Sequence, residues 1–206
     1  MNKKDIETRE KIKEAGLNDF LQNGYKDASL RRIAQNAGVT TGAIYGYYRD
    51  KNALFTDLVE PAASVLMEMF LNAQSSFEEK PGYLQTEEMY EYSSEALFKM
   101  LEYIYEHFYS FKLITCSSAG TDYEEYLHKM VITEEESTYS YIKKARESGI
   151  KVNDINENLC HILANAYINS IFEVVAHDMP WEEAKEYVSK LTSFFSVGWD
   201  KLLMSE

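Results

Sequence analysis

Apolar residues recur every three or four positions along almost the whole chain, and strand-like alternation is scarce, so the pattern predicts an all-α fold. The first helical stretch covers residues 5–23, with Ile6, Ile12, Ala15, Leu17, Phe20 and Leu21 to one side. Asn23-Gly24 should close it, because both tolerate the left-handed backbone that follows a helix. Ser29 then offers a cap for a short helix carrying Leu30, Ile33, Ala34 and Ala37, which stops at Gly38. Thr40 offers the next cap, with Ile44, Tyr45 and Tyr48 on one face, and Asp50 the one after. From Asp50 an apolar stripe (Leu54, Phe55, Leu58, Val59) resumes beyond Pro61 as Ala62, Val65, Leu66, Met69, Phe70 and Ala73. One helix kinked at the proline is expected; a full break is the alternative, since proline removes a hydrogen bond and clashes with the preceding turn. Residues 78–86 read as the clearest loop. Helical patterns follow at 87–109 (with Met89 on its apolar side), from Phe111 to about Cys116, and at 121–147, 154–177 and 181–204. The sum is about nine helices, divided into a three-helix unit over 1–50 and a larger helical domain over 51–206.

The segment 29–48 is the most informative. Two helices of about two turns each, joined through Ala37-Gly38-Val39, are too short to be stable alone and need the first helix as a platform. Gly38 stands where a helix-turn-helix needs positive φ, and Val39 can plug the angle between the helices. The second short helix exposes Thr40, Thr41, Gly42, Ala43 and Gly46, all small or hydroxylated, so it can enter a major groove. Tyr45 and Tyr47 can donate to phosphates, and Lys51 opens the next helix. Helix-loop-helix texture alone would favour a plain hairpin with core tyrosines.

Charge qualifies this reading without overturning it. The net charge of −13 opposes binding to a polyanion. Residues 1–60, however, hold 10 Lys+Arg against 9 Asp+Glu, while residues 61–206 hold 11 against 25, so the acid lies in the body. The N-terminal residues have no apolar h-region behind their lysines and no run of about 18 uninterrupted apolar residues is seen, so neither a signal peptide nor a membrane span is expected, and a cytoplasmic location follows. Cys116 and Cys160 are too far apart in sequence for a zinc spacing and read as inert thiols. His107, His128, His161 and His177 form no ligand spacing, and no cofactor or metal is expected. Phosphate-binding glycine loops and nucleophile–histidine arrangements are absent, so no enzyme is expected. The runs Glu124-Glu125 and Glu134-Glu135-Glu136 read as solvated helix faces.

The stretch from Ser29 to Phe55, Ser-Leu-Arg-Arg-Ile-Ala-Gln-Asn-Ala-Gly-Val-Thr-Thr-Gly-Ala-Ile-Tyr-Gly-Tyr-Tyr-Arg-Asp-Lys-Asn-Ala-Leu-Phe, resembles the DNA-binding signature of TetR-family regulators. The preceding Ala15, Phe20 and Gly24-Tyr25 resemble it too. The resemblance implies a homodimeric transcriptional regulator, a ligand-responsive repressor whose two heads occupy successive major grooves of a palindromic operator. Carried over residue by residue, Thr41, Gly42, Ala43 and Gly46 would face bases, while Ser29, Thr40, Tyr45, Tyr47 and Lys51 would hold phosphates. Two positions depart from the usual signature: Tyr47 stands where histidine is common, and Gly46 where a larger side chain is frequent.

The body would supply the rest. The stripes of the last two helices, about 154–177 and 181–204, are too rich for one neighbour, and Ala166, Ser170 and Gly198 would allow close crossing in a four-helix dimer interface. The body's tyrosines and methionines suit a cavity for an aromatic or cationic effector, although such stripes more often form core. The candidates are Met69, Tyr92, Met100, Tyr103, Phe111, Tyr126, Asn165 and Phe172, with Asn165 and Asn169 singled out as amides needing partners. An acidic helical adaptor that binds a protein is the competing reading.

Overall fold

A computed structural model describes residues 3–79 and 82–204, with side-chain surroundings given for all of these except 77, 78 and 82–93. Among the described residues the chain forms nine helices: α1 (Lys3–Asp27), α2 (Leu30–Asn36), α3 (Thr41–Ile44), α4 (Lys51–Glu78), α5 (Gly82–Glu106), α6 (Phe108–Ser117), α7 (Tyr126–Glu147), α8 (Glu157–Ala176) and α9 (Trp181–Leu203). No strand occurs among them; a single bridge pairs Val152 with Met204. The all-α expectation therefore holds.

Most boundaries follow local chemistry. α4 runs uninterrupted through Pro61, as the continuous stripe predicts. α1 extends past the expected stop: Gly24 breaks the helical geometry with φ 71°, and one further turn follows to Asp27. α5 starts at Gly82, so part of the segment read as a loop over 78–86 is helical, while residues 80 and 81 lie outside the described residues.

Two compact units result. The first joins Met1–Ser64 to His107–Tyr126, so α6 packs with the head, chiefly against α1. Its core holds Ile12, Phe20, Ile33, Ile44, Leu54, Phe55, Phe111 and Leu113, none exposed. Phe55 meets Phe20 and Tyr25 edge-on, with centroids 5.1 and 5.4 Å apart, a geometry favoured by the ring quadrupole. The second unit joins Val65–Glu106 to Leu127–Glu206. In it Tyr141, Ile142, Ala145, Val152 and Leu203 form one buried cluster. The Asn153 N–H donates to Leu203 O at 2.7 Å, fixing the end of α9 to the loop before α8.

One helix is more apolar than the rest. By length and composition α8 is apolar enough to cross a membrane, with mean hydropathy 1.4 over an 18-residue window. The reason is that it is apolar on two sides: Cys160, Ala164, Ile168, Ile171 and Val175 are buried, while Leu159 and Ile162 face outward.

Candidate nucleic-acid interface and ligand cavity

The turn between α2 and α3 is built by backbone hydrogen bonds. Gly38 sits at φ 68°, its N–H donates to Gln35 O at 3.2 Å, and the Val39 N–H reaches back to Ala34 O at 2.9 Å. This is a Schellman closure, which needs a residue free of a Cβ at the left-handed position. Thr40 then caps α3 as expected, its Oγ1 accepting the Ala43 N–H at 3.1 Å. Asp50 likewise accepts the Ala53 N–H at 2.7 Å. α3 is only four residues, continued by a turn in which the Tyr47 and Tyr48 N–H groups both donate to Ile44 O at 2.9 Å. Ile44 anchors this short element, being wholly buried. Outside it Thr40, Gly42, Tyr45 and Gly46 are exposed, and Thr41, Ala43 and Tyr47 are half-buried. Thr41, Gly42, Ala43 and Gly46 thus form a low-profile surface anchored from beneath by Ile44.

Two expected contacts are placed differently. Ser29 occupies the cap position of α2 but makes no side-chain cap bond; its N–H donates to Asp19 Oδ2 at 2.9 Å. The Lys51 ammonium donates to the carbonyls of Tyr25 (2.6 Å), Lys26 (3.0 Å) and Ala28 (3.0 Å) and lies 4.5 Å from the centroid of the Tyr25 ring. An ammonium has three protons, and all three are engaged within the head. Burial lowers the Lys51 pKa, opposed by the charges of Asp27 and Asp19.

Two polar networks brace the platform, and the sequence reading identified neither. The buried Asp19 carboxylate receives Arg32 through both Nε and Nη2, together with the Ser29 N–H and the Asn23 amide. Asp57 accepts the Tyr48 hydroxyl at 2.7 Å and Arg9 Nη2 at 2.8 Å, with Lys13 3.5 Å away. Burial pushes the Asp57 carboxyl up, but the Tyr48 hydrogen bond and the charges of Lys13 and Arg9 outweigh it and leave the pKa lowered. A carboxyl held below its unfolded value contributes stability above that value and loses it as pH falls through the folded pKa. Asp57→Asn should therefore flatten the acid side of a plot of thermal midpoint against pH, below about pH 5; an unchanged slope would mean that Asp57 does not titrate with folding.

Exposed cations border this surface. Arg31 is exposed and forms no ion pair among the described residues, and the Arg49 side chain, 82% exposed, pairs with Asp50 at 3.2 Å. Both were visible in the sequence, but only the fold shows that they face outward beside α2 and α3.

Residues 12–58 match the model described as bacterial regulatory proteins, tetR family. The head of this chain is thus that of the TetR family. It is 41% identical over 75 residues to the HTH-type transcriptional regulator AcrR of Shigella flexneri, a match covering 36% of this chain and 35% of AcrR. It is 29% identical over 198 residues to the uncharacterized HTH-type transcriptional regulator YhgD of Bacillus subtilis, covering 93% and 96% of the two chains. Among solved structures, the transcriptional regulator FadR from Bacillus subtilis in complex with stearoyl-CoA shares the fold at TM-score 0.54 and 14% identity, over 90% of this chain and 96% of that one. The TetR head followed by a helical body is thus the architecture of the whole chain.

Within the second unit lies a cavity of about 180 Å³, bordered by α4, α5, α7, α8 and α9. Of the effector candidates, Met100 and Phe172 line it. Met69 and Tyr103 belong to the same unit but do not border the cavity. Asn165 is exposed and pairs with Asn169, whose Nδ2 donates to its carbonyl and amide oxygens at 2.9 and 3.0 Å. Phe111 and Tyr126 are core residues of the first unit, Tyr126 donating to Ala63 O at 2.8 Å. The side chains of Met89 and Tyr92 lie outside the described residues.

The acidic run in α7 also needs correction. Glu136 is exposed, but Glu134 and Glu135 are half-buried, and Glu134 lines the cavity. It accepts Gln74 Nε2 at 2.6 Å, and Ser137 Oγ donates to Gln74 Oε1 at 2.7 Å. Consecutive residues point different ways on a helix, so a charge run divides between solvent and interior. No group of three or more His, Cys, Asp or Glu that could hold a metal occurs among the described residues.

α8 and α9 pack on each other, Tyr187 donating to Ser170 O at 3.0 Å, and leave a broad apolar surface outside. Ile162 is 60% exposed, Phe194 74% and Val197 66%, with Leu159 and Leu202 beside them in the sequence pattern. Gly198 is exposed among them.

Proposed function

We propose that this chain is a ligand-responsive repressor of the TetR family that binds a palindromic operator as a homodimer and is released by a small molecule held in the second unit's cavity. The observation that carries the reading is the Thr40-capped α3, whose outward residues Thr41, Gly42, Ala43 and Gly46 are small enough for backbone and side chain to approach base edges. Thr40, Tyr45 and Tyr47 would hold phosphates around them, Ser29 would add its hydroxyl from the start of α2, and Arg31 and Arg49 would add positive charge. Lys51, whose protons are taken by carbonyls at the end of α1, acts in this proposal by fixing the α1–α4 junction instead of gripping phosphate. The DNA-binding part is 1–50 and the effector and dimer part 51–206.

The exposed apolar stripes of α8 and α9 support a dimer through these two helices, because an unpaired patch of this kind on a single chain favours association. Two heads related by a two-fold axis would read half-sites about one turn of DNA apart, roughly 34 Å. A ligand that binds more tightly to another arrangement of the dimer lowers operator affinity by that difference in binding. FadR, with stearoyl-CoA bound, offers the precedent of a neighbour in the same fold that holds a small molecule.

Fluorescence anisotropy with labelled duplexes tests the division of roles. Tyr47→Phe should weaken binding to all sequences by about the same factor, roughly 5–15-fold for one lost phosphate hydrogen bond of about 1–1.5 kcal/mol. Thr41→Ala should alter the ranking of sequences instead. Equal losses on every duplex for both variants would remove the distinction. Duplex binding should also fall steeply with salt, as released counterions require; a flat dependence would favour the acidic adaptor.

A further inference from the structure

We propose that the cavity recognises lipophilic cations, with Glu134 as the counter-charge and a ring of aromatic side chains as the surround; this rests on reading the cavity as the effector site. Its walls are mostly apolar, and the described residues lining it include no Lys, Arg or His. The ionisable lining groups are Glu134 and Tyr141 from α7 and Tyr167 from α8, with none from α4, α5 or α9. One acid therefore stands in the wall without a basic partner.

The local geometry keeps that acid available. Ser137 occupies the Gln74 carbonyl oxygen, so the amide turns its NH₂ group to Glu134 Oε2. Oε1 has no hydrogen-bond donor among the described residues. Burial raises the Glu134 pKa, partly offset by the Gln74 hydrogen bond, as expected of a carboxylate with no cation to compensate it. Burial also pushes the Tyr167 phenol up to about 12, opposed by a hydrogen bond with Thr192, so this neighbour stays neutral. Phe70, Tyr167, Phe172, Phe195 and Trp199 line the same cavity as the acid, with the Tyr167 and Phe195 rings 5.0 Å apart. Aromatic faces attract a desolvated cation through the ring quadrupole, and a carboxylate at one side fixes where the charge sits. A ligand carboxylate would meet Glu134 with like charge in a low-dielectric space.

Size narrows the class further. The volume of about 180 Å³ has room for roughly 12 to 18 water-sized groups at about 10–15 Å³ each. A quaternary or protonated amine bearing one aromatic ring fits that space.

The test uses the purified full chain and three probes of matched size in isothermal titration calorimetry. Benzyltrimethylammonium carries a permanent charge, neopentylbenzene is its neutral isostere, and 3-phenylpropanoate is the anion. The cation should bind at least 10-fold more tightly than the isostere, and the anion should not bind. Glu134→Gln keeps the shape of the side chain and should cost the cation at least 10-fold while leaving the isostere within twofold. The comparison of cation with isostere in the unaltered chain stands even if that variant fails to fold. Equal binding of cation and isostere, tighter binding of the anion, or an unchanged cation affinity in the Gln variant would overturn the proposal while leaving the cavity as an effector site. Binding of none of the three would overturn both readings.

Discussion

Ile162→Asp and Phe194→Glu, each alone, should convert the proposed dimer to a monomer and reduce affinity for the proposed operator more than 100-fold. Both side chains are mostly exposed on the single chain, at 60% and 74%, so neither substitution removes core packing. At a two-fold interface each change enters twice, and it puts a charge where apolar surface would otherwise be buried without a partner. A stable dimer needs about 1,200 Å² or more of buried surface, and these residues lie where α8 and α9 offer their apolar face. The loss of DNA binding follows because one head makes half the contacts, and a single half-site gives affinity closer to non-specific binding. Sedimentation should show a species of 23.9 kDa, with helical content and thermal midpoint near those of the parent at low concentration. A dimer that survives both substitutions would place the interface elsewhere.

The second large effect is expected at Asp19, within the head. Asp19→Ala removes a carboxylate that is 2% exposed and that holds the Ser29 N–H and the Arg32 guanidinium together. Losing the charged hydrogen bond to the Ser29 N–H, with that donor left half-buried, should cost about 2–3 kcal/mol. For a chain of this length that corresponds to a fall of roughly 5–10 °C in thermal midpoint. Because Ser29 begins α2, the same change should weaken DNA binding uniformly across sequences, unlike Thr41→Ala. A variant with native stability and native affinity would show that Arg32 and Ser29 find other partners at no cost. Asp19→Asn, which keeps one acceptor for the Ser29 N–H, should lie between the two.

What the sequence disclosed and what it concealed divide along the range of the interactions. Gly38, Thr40 and Asp50 act through backbone groups no more than four residues away, so each was legible as a turn or cap residue. Periodicity likewise carried α4 across Pro61, since the apolar stripe has the same phase on both sides. The Asp57 cluster was not legible: it joins Arg9, Tyr48 and Asp57, with Arg9 and Asp57 48 residues apart, and no local pattern marks such a meeting. Lys51 illustrates the same limit, because a lysine at a helix start looks like a phosphate contact until its carbonyl partners are seen. Ser29 was read as a cap from its position alone, while the actual partner of its N–H lies ten residues earlier.

The cavity was the least legible part. Helical spacing shows which residues face inward but not which unit they face into, and Phe111 and Tyr126 went to the first unit although their spacing resembles that of Met100 and Phe172. Glu134 was concealed differently. A run of three glutamates averages to a solvated face, and no local pattern marks Glu134 as the one that lines the cavity. The contact with Gln74, 60 residues away, is what distinguishes it from its neighbours.

The most direct test of the account is selection of bound duplexes from a random DNA pool at moderate salt, using the purified chain with its oligomeric state measured in the same sample. The expected result is a palindrome with two half-sites about one helical turn apart, roughly 10 base pairs centre to centre, recovered by the dimer. Absence of any enriched sequence from a folded dimer, with and without added ligands, would contradict the account and favour a protein-binding role for the head.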